Sequence, residues 1–239
     1  MEYKFSDRVL TLKPSAIREI FKYAADPSYI SLSAGNPAPE AFPSKQLAAI
    51  SAKLMEEEPI LALQYSTTEG YPPLLRHLKA YMKSSRNIGT EDDGVLVTSG
   101  AQQIMDLFTK SILNEGETVI CEAPSFIGSL NDFRSYKAKL VGIPMDTDGM
   151  NMEALEKALE TEKNVKFIYT IPNFQNPSGI TMSLEKRHRL YELAKAHDVM
   201  ILEDNPYGEL RFAGEDVPTY KSFDTEELVV YCSSFSKIL

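Results

Sequence analysis

Residues 229–239 run an apolar, strand-like stretch, Val229-Val230-Tyr231-Cys232, into Ser233-Ser234-Phe235-Ser236-Lys237-Ile238-Leu239. A lysine attacks a carbonyl only as its neutral amine, so Lys237 becomes reactive where burial or a nearby cation lowers its pKa. The hydroxyls of Ser234 and Ser236 suit an anion such as phosphate. Taken alone, the segment reads better as a solubilising lysine that caps an exposed strand. Four other clusters change that balance: Ser99-Gly100-Ala101-Gln102, Glu122-Ala123-Pro124-Ser125-Phe126, Asn173-Phe174-Gln175-Asn176-Pro177-Ser178-Gly179, and Glu203-Asp204-Asn205-Pro206-Tyr207. The first offers free backbone N–H groups at a glycine turn that opens a helix, a cradle for phosphate. The second offers an aromatic ring, Phe126, able to stack on a planar ligand. The third aims the Asn176 amide from a proline-fixed turn. The fourth sets a carboxylate, Asp204, and a phenol, Tyr207, after an apolar strand, where an unpaired charge is costly and no cation is near in sequence.

What these clusters share is the element that precedes each of them. From about Gly94, short β-branched apolar runs alternate with helical patterns, which predicts βαβ units and a mainly parallel sheet: an α/β fold in three αβα layers. Strands are expected at Val95–Thr98, Thr118–Cys121, Lys139–Ile143, Val165–Thr170, Val199–Glu203 and Leu228–Cys232. Helices are expected at Gln102–Leu113, Ser125–Tyr136, Asn151–Glu160 and Ser183–His197, the last with Ser183 as an N-cap hydroxyl. Upstream, Ser15–Ala25 and Ser44–Glu58 read as amphipathic helices, separated by Tyr29–Ser33 and a Gly/Pro-rich joint over Ala34–Pro43. Leu61–Gly70 reads as an irregular connection. Tyr71–Ser84 reads as a helix that tolerates Pro72 and Pro73 only in its first turn. In open parallel sheets a ligand lies beyond the carboxyl ends of the strands, and all five clusters fall there. One ligand using all five is planar, aromatic and phosphorylated, with a protonatable ring nitrogen for Asp204, a phenolic oxygen for Asn176 and Tyr207, and an aldehyde for Lys237. Pyridoxal 5′-phosphate fits that description.

Composition narrows the classes further. A formal charge of −9 over 239 residues, with no clustered Lys/Arg stripe, argues against a nucleic-acid partner. No apolar run approaches the roughly 20 residues of a membrane helix, and the amino terminus lacks a signal-peptide core, so a cytoplasmic protein is expected. The two cysteines, Cys121 and Cys232, sit in apolar runs and read as buried free thiols. His77, His188 and His197 show no metal-ligand spacing, so no metal is expected.

In the order and spacing of these motifs the chain resembles the fold-type I, class I/II pyridoxal-phosphate aminotransferases. The resemblance runs through Ser-Ala-Gly-Asn-Pro-Ala-Pro-Glu-Ala-Phe-Pro at 33–43, Leu-Gln-Tyr-Ser at 63–66, Ser-Gly-Ala-Gln at 99–102, Asn-Pro-Ser-Gly at 176–179, Glu-Asp-Asn-Pro-Tyr at 203–207 and Ser-Phe-Ser-Lys at 234–237. The 33–43 segment and Leu63-Gln64-Tyr65 are most similar to the 2-aminoadipate/kynurenine branch. The resemblance implies that Lys237 is the Schiff-base lysine and the base that moves a proton between the substrate α-carbon and the cofactor. It implies that Asp204 keeps the pyridine nitrogen protonated, that Asn176 and Tyr207 bond the phenolic oxygen, and that Phe126 stacks where many relatives carry tyrosine. Ser99, Gly100, Ala101, Gln102, Ser234 and Ser236 would hold the phosphate, and Tyr65 would reach the partner's phosphate across a homodimer interface. Gly35 would lie beside the substrate, an amino acid or a 2-oxo acid.

The resemblance also implies two domains: residues 1–42 as an amino-terminal arm and part of a small domain, and 43–239 as the cofactor-binding large domain. Family members continue past the lysine with an arginine that binds the phosphate and a small domain whose arginine clamps the substrate carboxylate. The expectation is therefore an amino-terminal portion, with the small domain largely missing, that does not turn over alone. Two rival readings share the fold: a carbon–sulfur lyase with the same cofactor contacts, and a regulatory domain without turnover.

Overall fold

Alternation of side chains along five parallel strands sets the architecture. In a strand, successive side chains point to opposite faces, so a strand buried on both faces feeds two cores at once. The computed structural model describes residues 3–10, 26, 28, 30, 35 and 37–239. Strands β1 (Thr118–Ala123), β2 (Lys139–Asp146), β4 (Val165–Thr170), β5 (Met200–Asp204) and β6 (Val229–Cys232) are parallel, and the short β3 (Gly149–Met150) pairs antiparallel with β2. Their order across the sheet is β3-β2-β1-β4-β5-β6. The chain steps outward from β1 to β2 and then returns past β1 to β4, so the order reverses at β1/β4. That reversal is the place where the carboxyl ends of neighbouring strands open a crevice.

On one face Ile120, Ile168, Ile201 and Val229 pack with Leu155 and Leu159 of helix α7 (Met152–Thr161) and Leu190 and Leu193 of α8 (Leu184–Ala196). On the other, Val119, Cys121, Phe167, Tyr169, Leu202 and Cys232 pack with Met105 of α5 (Ala101–Ile112) and Phe133 of α6 (Ile127–Ser135). Phe108 and Phe133 meet Phe167 edge-on at 5.0 and 5.3 Å between centroids, a favoured aromatic arrangement. Among the described residues side-chain caps start three α-helices: Asn151 accepts from the Ala154 N–H, Ser183 from Lys186, and Thr219 from Ser222 at the head of α9 (Tyr220–Phe223). Both cysteines are buried free thiols, as their apolar surroundings predict.

Ahead of the sheet lie α1 (Asp7–Leu10), α2 (Ser44–Glu57), α3 (Pro59–Leu63) and α4 (Pro72–Arg86). Pro72 and Pro73 do fall in the first turn of α4, where a missing N–H costs nothing. None of these four helices contributes a buried residue.

Three expectations are corrected. Val95–Thr98 is not a strand: the Val97 N–H donates to the Glu69 carbonyl at 2.9 Å, and a cleft of about 1070 Å³ separates the segment from β6. Its β-branched residues favour extension, but a strand exists only with a partner ladder, and Leu96 stays 51% exposed. The expected irregular stretch from Leu61 begins inside α3, because Pro59 opens a new helical turn rather than ending the chain's helicity. The β2 strand runs three residues past Ile143 and turns back into β3, a hairpin that apolar runs alone do not show. The helix expected at Ser15–Ala25 and the run Tyr29–Ser33 lie outside the described residues. Of the joint Ala34–Pro43, Gly35 and residues 37–43 are described, with a 3₁₀ turn at Pro39–Ala41. Among the described residues no helix is long and apolar enough to cross a membrane.

Candidate functional site

The two adjacent acids that end β5 meet opposite fates because they point to opposite faces. Glu203 faces the α8 side and accepts the N–H groups of Tyr220 (3.1 Å) and Lys221 (3.0 Å) at the head of α9. Burial pushes its pKa up to about 7, while those backbone bonds and the charge of Arg187 pull it down. Glu203 is thus a structural carboxylate. Asp204 faces the α5/α6 side at 5% exposure, where Tyr169 Oη donates to its Oδ2 at 2.7 Å. Its Oδ1 is fully buried and has no hydrogen-bond partner. Burial raises the Asp204 pKa to about 6 against the Tyr169 bond; the neighbouring Cys232 thiol lowers it a little without reaching hydrogen-bond geometry to Oδ1. A buried carboxylate oxygen with no donor is expensive, so a bound N–H or O–H donor at this position is strongly favoured.

The loop after β4 is tied down from two sides. Glu122, buried at the end of β1, accepts from Thr170 Oγ1 (2.7 Å), the Ile171 N–H (3.1 Å) and Gln175 Nε2 (3.0 Å). Burial pushes the Glu122 pKa to about 7, opposed by these bonds. Gln175 also donates to the Pro124 carbonyl at 2.8 Å and accepts from the Ser178 N–H and hydroxyl. From the other side the buried guanidinium of Arg187 donates to the carbonyls of Met182, Val217, Pro218 and Pro172 and to Asn173 Oδ1. Between these anchors Asn176 Nδ2 donates to Tyr207 Oη at 3.2 Å, which places the amide and the phenol together. Asn173 and Asn205 bond at 2.9 Å beneath them, joining the β4 and β5 loops.

At the head of α5, Gly100 takes φ +84°, a conformation L side chains rarely adopt, with open space where a Cβ would stand. The N–H groups of Ala101 and Gln102, in the first helical turn, have no intrahelical acceptor and lie at the positive end of the helix. The Ser99 N–H is taken by Gln103 Oε1 at 2.6 Å. The Gln102 amide is committed as well, donating to the Gly128 carbonyl and to the Asp132 carboxylate, so Gln102 offers an anion its backbone and not its side chain. Phe126 caps α6 with its ring over Gly128, where a Cβ would come within 2.5 Å of it. Ser234 and Ser236 share a hydroxyl contact at 2.8 Å, and the Ser236 N–H bonds Ser234 Oγ at 3.1 Å in a 3₁₀ turn that carries Lys237. Lys237 Nζ donates to the Gly35 carbonyl at 2.9 Å, bringing together two expected site residues 202 positions apart. Tyr65 is 98% exposed and touches none of them. His188 stacks on Phe223 and His197 caps α8, and among the described residues no cluster could hold a metal.

The model of the aminotransferase class I and II family matches residues 27–239. The chain belongs to that family. It is 43% identical to an aromatic-amino-acid aminotransferase of Thermococcus litoralis, covering 100% of this chain and 58% of that protein. The kynurenine aminotransferase of Pyrococcus horikoshii, solved in complex with PMP, superimposes with a TM-score of 0.92 at 39% identity, covering 98% of this chain and 59% of that one. The α-aminoadipate aminotransferase of Thermus thermophilus, solved with N-(5′-phosphopyridoxyl)-L-leucine, gives 0.86 at 34% identity, with 98% and 58% covered. This aminotransferase chain therefore spans a little under three fifths of the length of these relatives, and its three-layer fold with a mainly parallel sheet is theirs.

Four residues that shape this crevice went unread in the sequence. Tyr169 and Ser129 look like core positions, and only the period-two register that puts Tyr169 on the Asp204 face hints otherwise. Glu122 and Arg187 are ordinary charged residues in sequence, and long-range packing alone reveals them as loop anchors.

The unpartnered carboxylate makes a measurable claim on stability. In the unfolded chain Asp204 titrates near 3.8 and in the folded chain near 6, so between those values the folded state binds more protons. Its contribution to stability is therefore lost as pH rises through that window. Asp204→Asn removes the penalty: in urea unfolding of the cofactor-free chain it is expected to be more stable than wild type by about 2 to 3 kcal/mol at pH 7.5, with the difference vanishing near pH 4. Equal stability at both pH values would contradict the burial of an unmatched charge.

Proposed function

We propose that this chain provides the cofactor-binding part of an aminotransferase that moves an amino group from an amino acid to a 2-oxo acid. The observation that carries the reading is the buried, unpartnered Oδ1 of Asp204. Pyridoxal phosphate is the cofactor; when bound, it supplies an aldehyde that amines attack and a ring that accepts electrons. Asp204 Oδ1 would accept the ring N–H, a charge-assisted bond that offsets the desolvation of the carboxylate. Asn176 Nδ2 and Tyr207 Oη, already paired, hold the phenolic oxygen. Phe126 covers the ring. The backbone N–H groups at Gly100, Ala101 and Gln102, with the hydroxyls of Ser234 and Ser236 and support from Ser99, hold the phosphate. Lys237 Nζ would hold the cofactor at its aldehyde end and would move the proton at the substrate α-carbon. Its bond to the Gly35 carbonyl supports the reading that Gly35 lies beside the substrate, with open space where a side chain would stand.

The same reading divides the chain at about residue 42 into an amino-terminal arm with part of a small domain and a large domain over 43–239. Donors of the aromatic and 2-aminoadipate/kynurenine kind are proposed from the relatives' names. The chain spans 58% of the Thermococcus relative, and turnover is proposed for a protein of that relative's full length. A homodimer with Tyr65 contributed across the interface is supported by the exposure of Tyr65 and of Leu47, Ile50, Leu54, Met55, Ile60, Leu61 and Leu63 on α2 and α3. A cytoplasmic setting accords with the buried free thiols, and the formal charge of −9 argues against a nucleic-acid partner.

Two measurements check this reading. The chain mixed with pyridoxal phosphate is expected to develop a protein-bound absorbance band that Lys237→Ala abolishes, while an amino acid with a 2-oxo acid gives no sustained turnover. No band, a band indifferent to Lys237, or release of pyruvate and a thiol would overturn the transaminase assignment. Sedimentation equilibrium is expected to give twice the 26.8 kDa chain mass, and charges introduced at Ile50 and Leu54 to halve it; a monomeric wild type would sink the dimer.

A further inference from the structure

Asp204 has two chemically equivalent oxygens, and something must decide which one is spent on the protein. Tyr169 Oη, on the neighbouring strand β4, donates to Oδ2 at 2.7 Å, and Ser129 Oγ, on the first turns of α6, donates to that same phenol oxygen at 2.9 Å. All three residues are buried, so water cannot replace any of them. The phenol ring is itself held: Phe133, one turn after Ser129 on α6, meets it edge-on at 5.2 Å. The hydroxyl chain therefore has one direction, Ser129 to Tyr169 to Asp204, and it ends on a single oxygen.

We infer that Tyr169, supported by Ser129, is a positioning residue that locks the Asp204 carboxylate with Oδ2 occupied and Oδ1 left for the ring nitrogen. The inference rests on the cofactor reading given above. A carboxylate this deeply buried tends to take up a proton, and a neutral acid would then present an O–H to a ring N–H, donor against donor. A hydrogen bond donated to the charged form opposes that tendency. Tyr169 is suited to donate without ionising, because burial and the adjacent carboxylate push its own pKa well up. The other titratable groups facing the carboxylate cannot do the same work: the Cys232 thiol on β6 is a weak donor, and Glu122 on β1 is a charge of the same sign. Ser129 strengthens the phenol as a donor by bonding to its oxygen, the cooperative effect of a hydrogen-bond chain.

The test uses the full chain without cofactor, following the Asp204 carboxyl carbon by ¹³C NMR as pH is varied. Tyr169→Phe keeps the ring and its contact with Phe133 while removing the donor. Its Asp204 midpoint is expected to rise by about one pH unit, and Ser129→Ala to move it the same way by less. In a parallel absorbance titration, Tyr169→Phe is expected to bind pyridoxal phosphate about tenfold more weakly, equivalent to 1.4 kcal/mol. An unchanged or lowered midpoint in folded Tyr169→Phe would overturn the inference; if that variant does not fold, the Ser129→Ala midpoint decides. Failure of the wild-type chain to bind pyridoxal phosphate, with the midpoint shift intact, would instead overturn the cofactor reading and leave the Tyr169–Asp204 coupling standing.

Discussion

A carboxylate held in the dry interior without a cation is the constraint around which the rest of this structure is arranged. Asp204 sits at the end of a central strand, on the face packed by α5 and α6, with one oxygen bonded to Tyr169 and the other bonded to nothing. An unmatched buried charge costs several kcal/mol, which the fold tolerates only because it is held by its surroundings. Strands β4 and β6 flank it, the α6 helix supplies the Ser129 hydroxyl that backs Tyr169, and the sheet reverses its order at β1/β4 nearby. Sites of this kind trade stability for readiness.

The other buried acids show the contrast. Glu203 and Glu122 have pKa values raised by the same burial, yet every oxygen of each is satisfied from within the fold. Glu203 caps α9 through two backbone N–H groups, and Glu122 collects Thr170, Ile171 and Gln175. Glu122 and Arg187 fix the loop that carries Asn176, and the Asn173–Asn205 bond ties it to the loop that carries Tyr207. These carboxylates hold the frame, and Asp204 keeps one buried oxygen without a donor. One residue of register on β5 separates the two roles, because adjacent side chains on a strand emerge on opposite faces.

Much of this was legible in the sequence where chemistry and local pattern coincide. The strands that begin at Thr118, Val165, Met200 and Val229, with their crossover helices, follow from β-branched runs and helical periods, and the cap at Ser183 is readable from residue type. Asn176 meets Tyr207, and Lys237 meets Gly35, so residues singled out from separate motifs lie together. What failed to show was long-range. Val95–Thr98 has strand residues but no ladder to join, Gln102 spends its amide on Asp132, and Tyr169 looks like any aromatic in an apolar strand until its partner on the next strand is known. Tyr65, expected to contact cofactor across an interface, is exposed within a single chain, since one sequence cannot display what a second copy brings.

The central claim is that Asp204 Oδ1 is reserved for a protonated ring nitrogen, and ¹⁵N NMR of the chain loaded with ring-¹⁵N pyridoxal phosphate addresses it most directly. At pH 7.5 the wild-type chain is expected to give the chemical shift of a protonated pyridine nitrogen, and Asp204→Asn that of an unprotonated one. An unprotonated nitrogen in the wild type, or a protonated one in both proteins, would contradict the account.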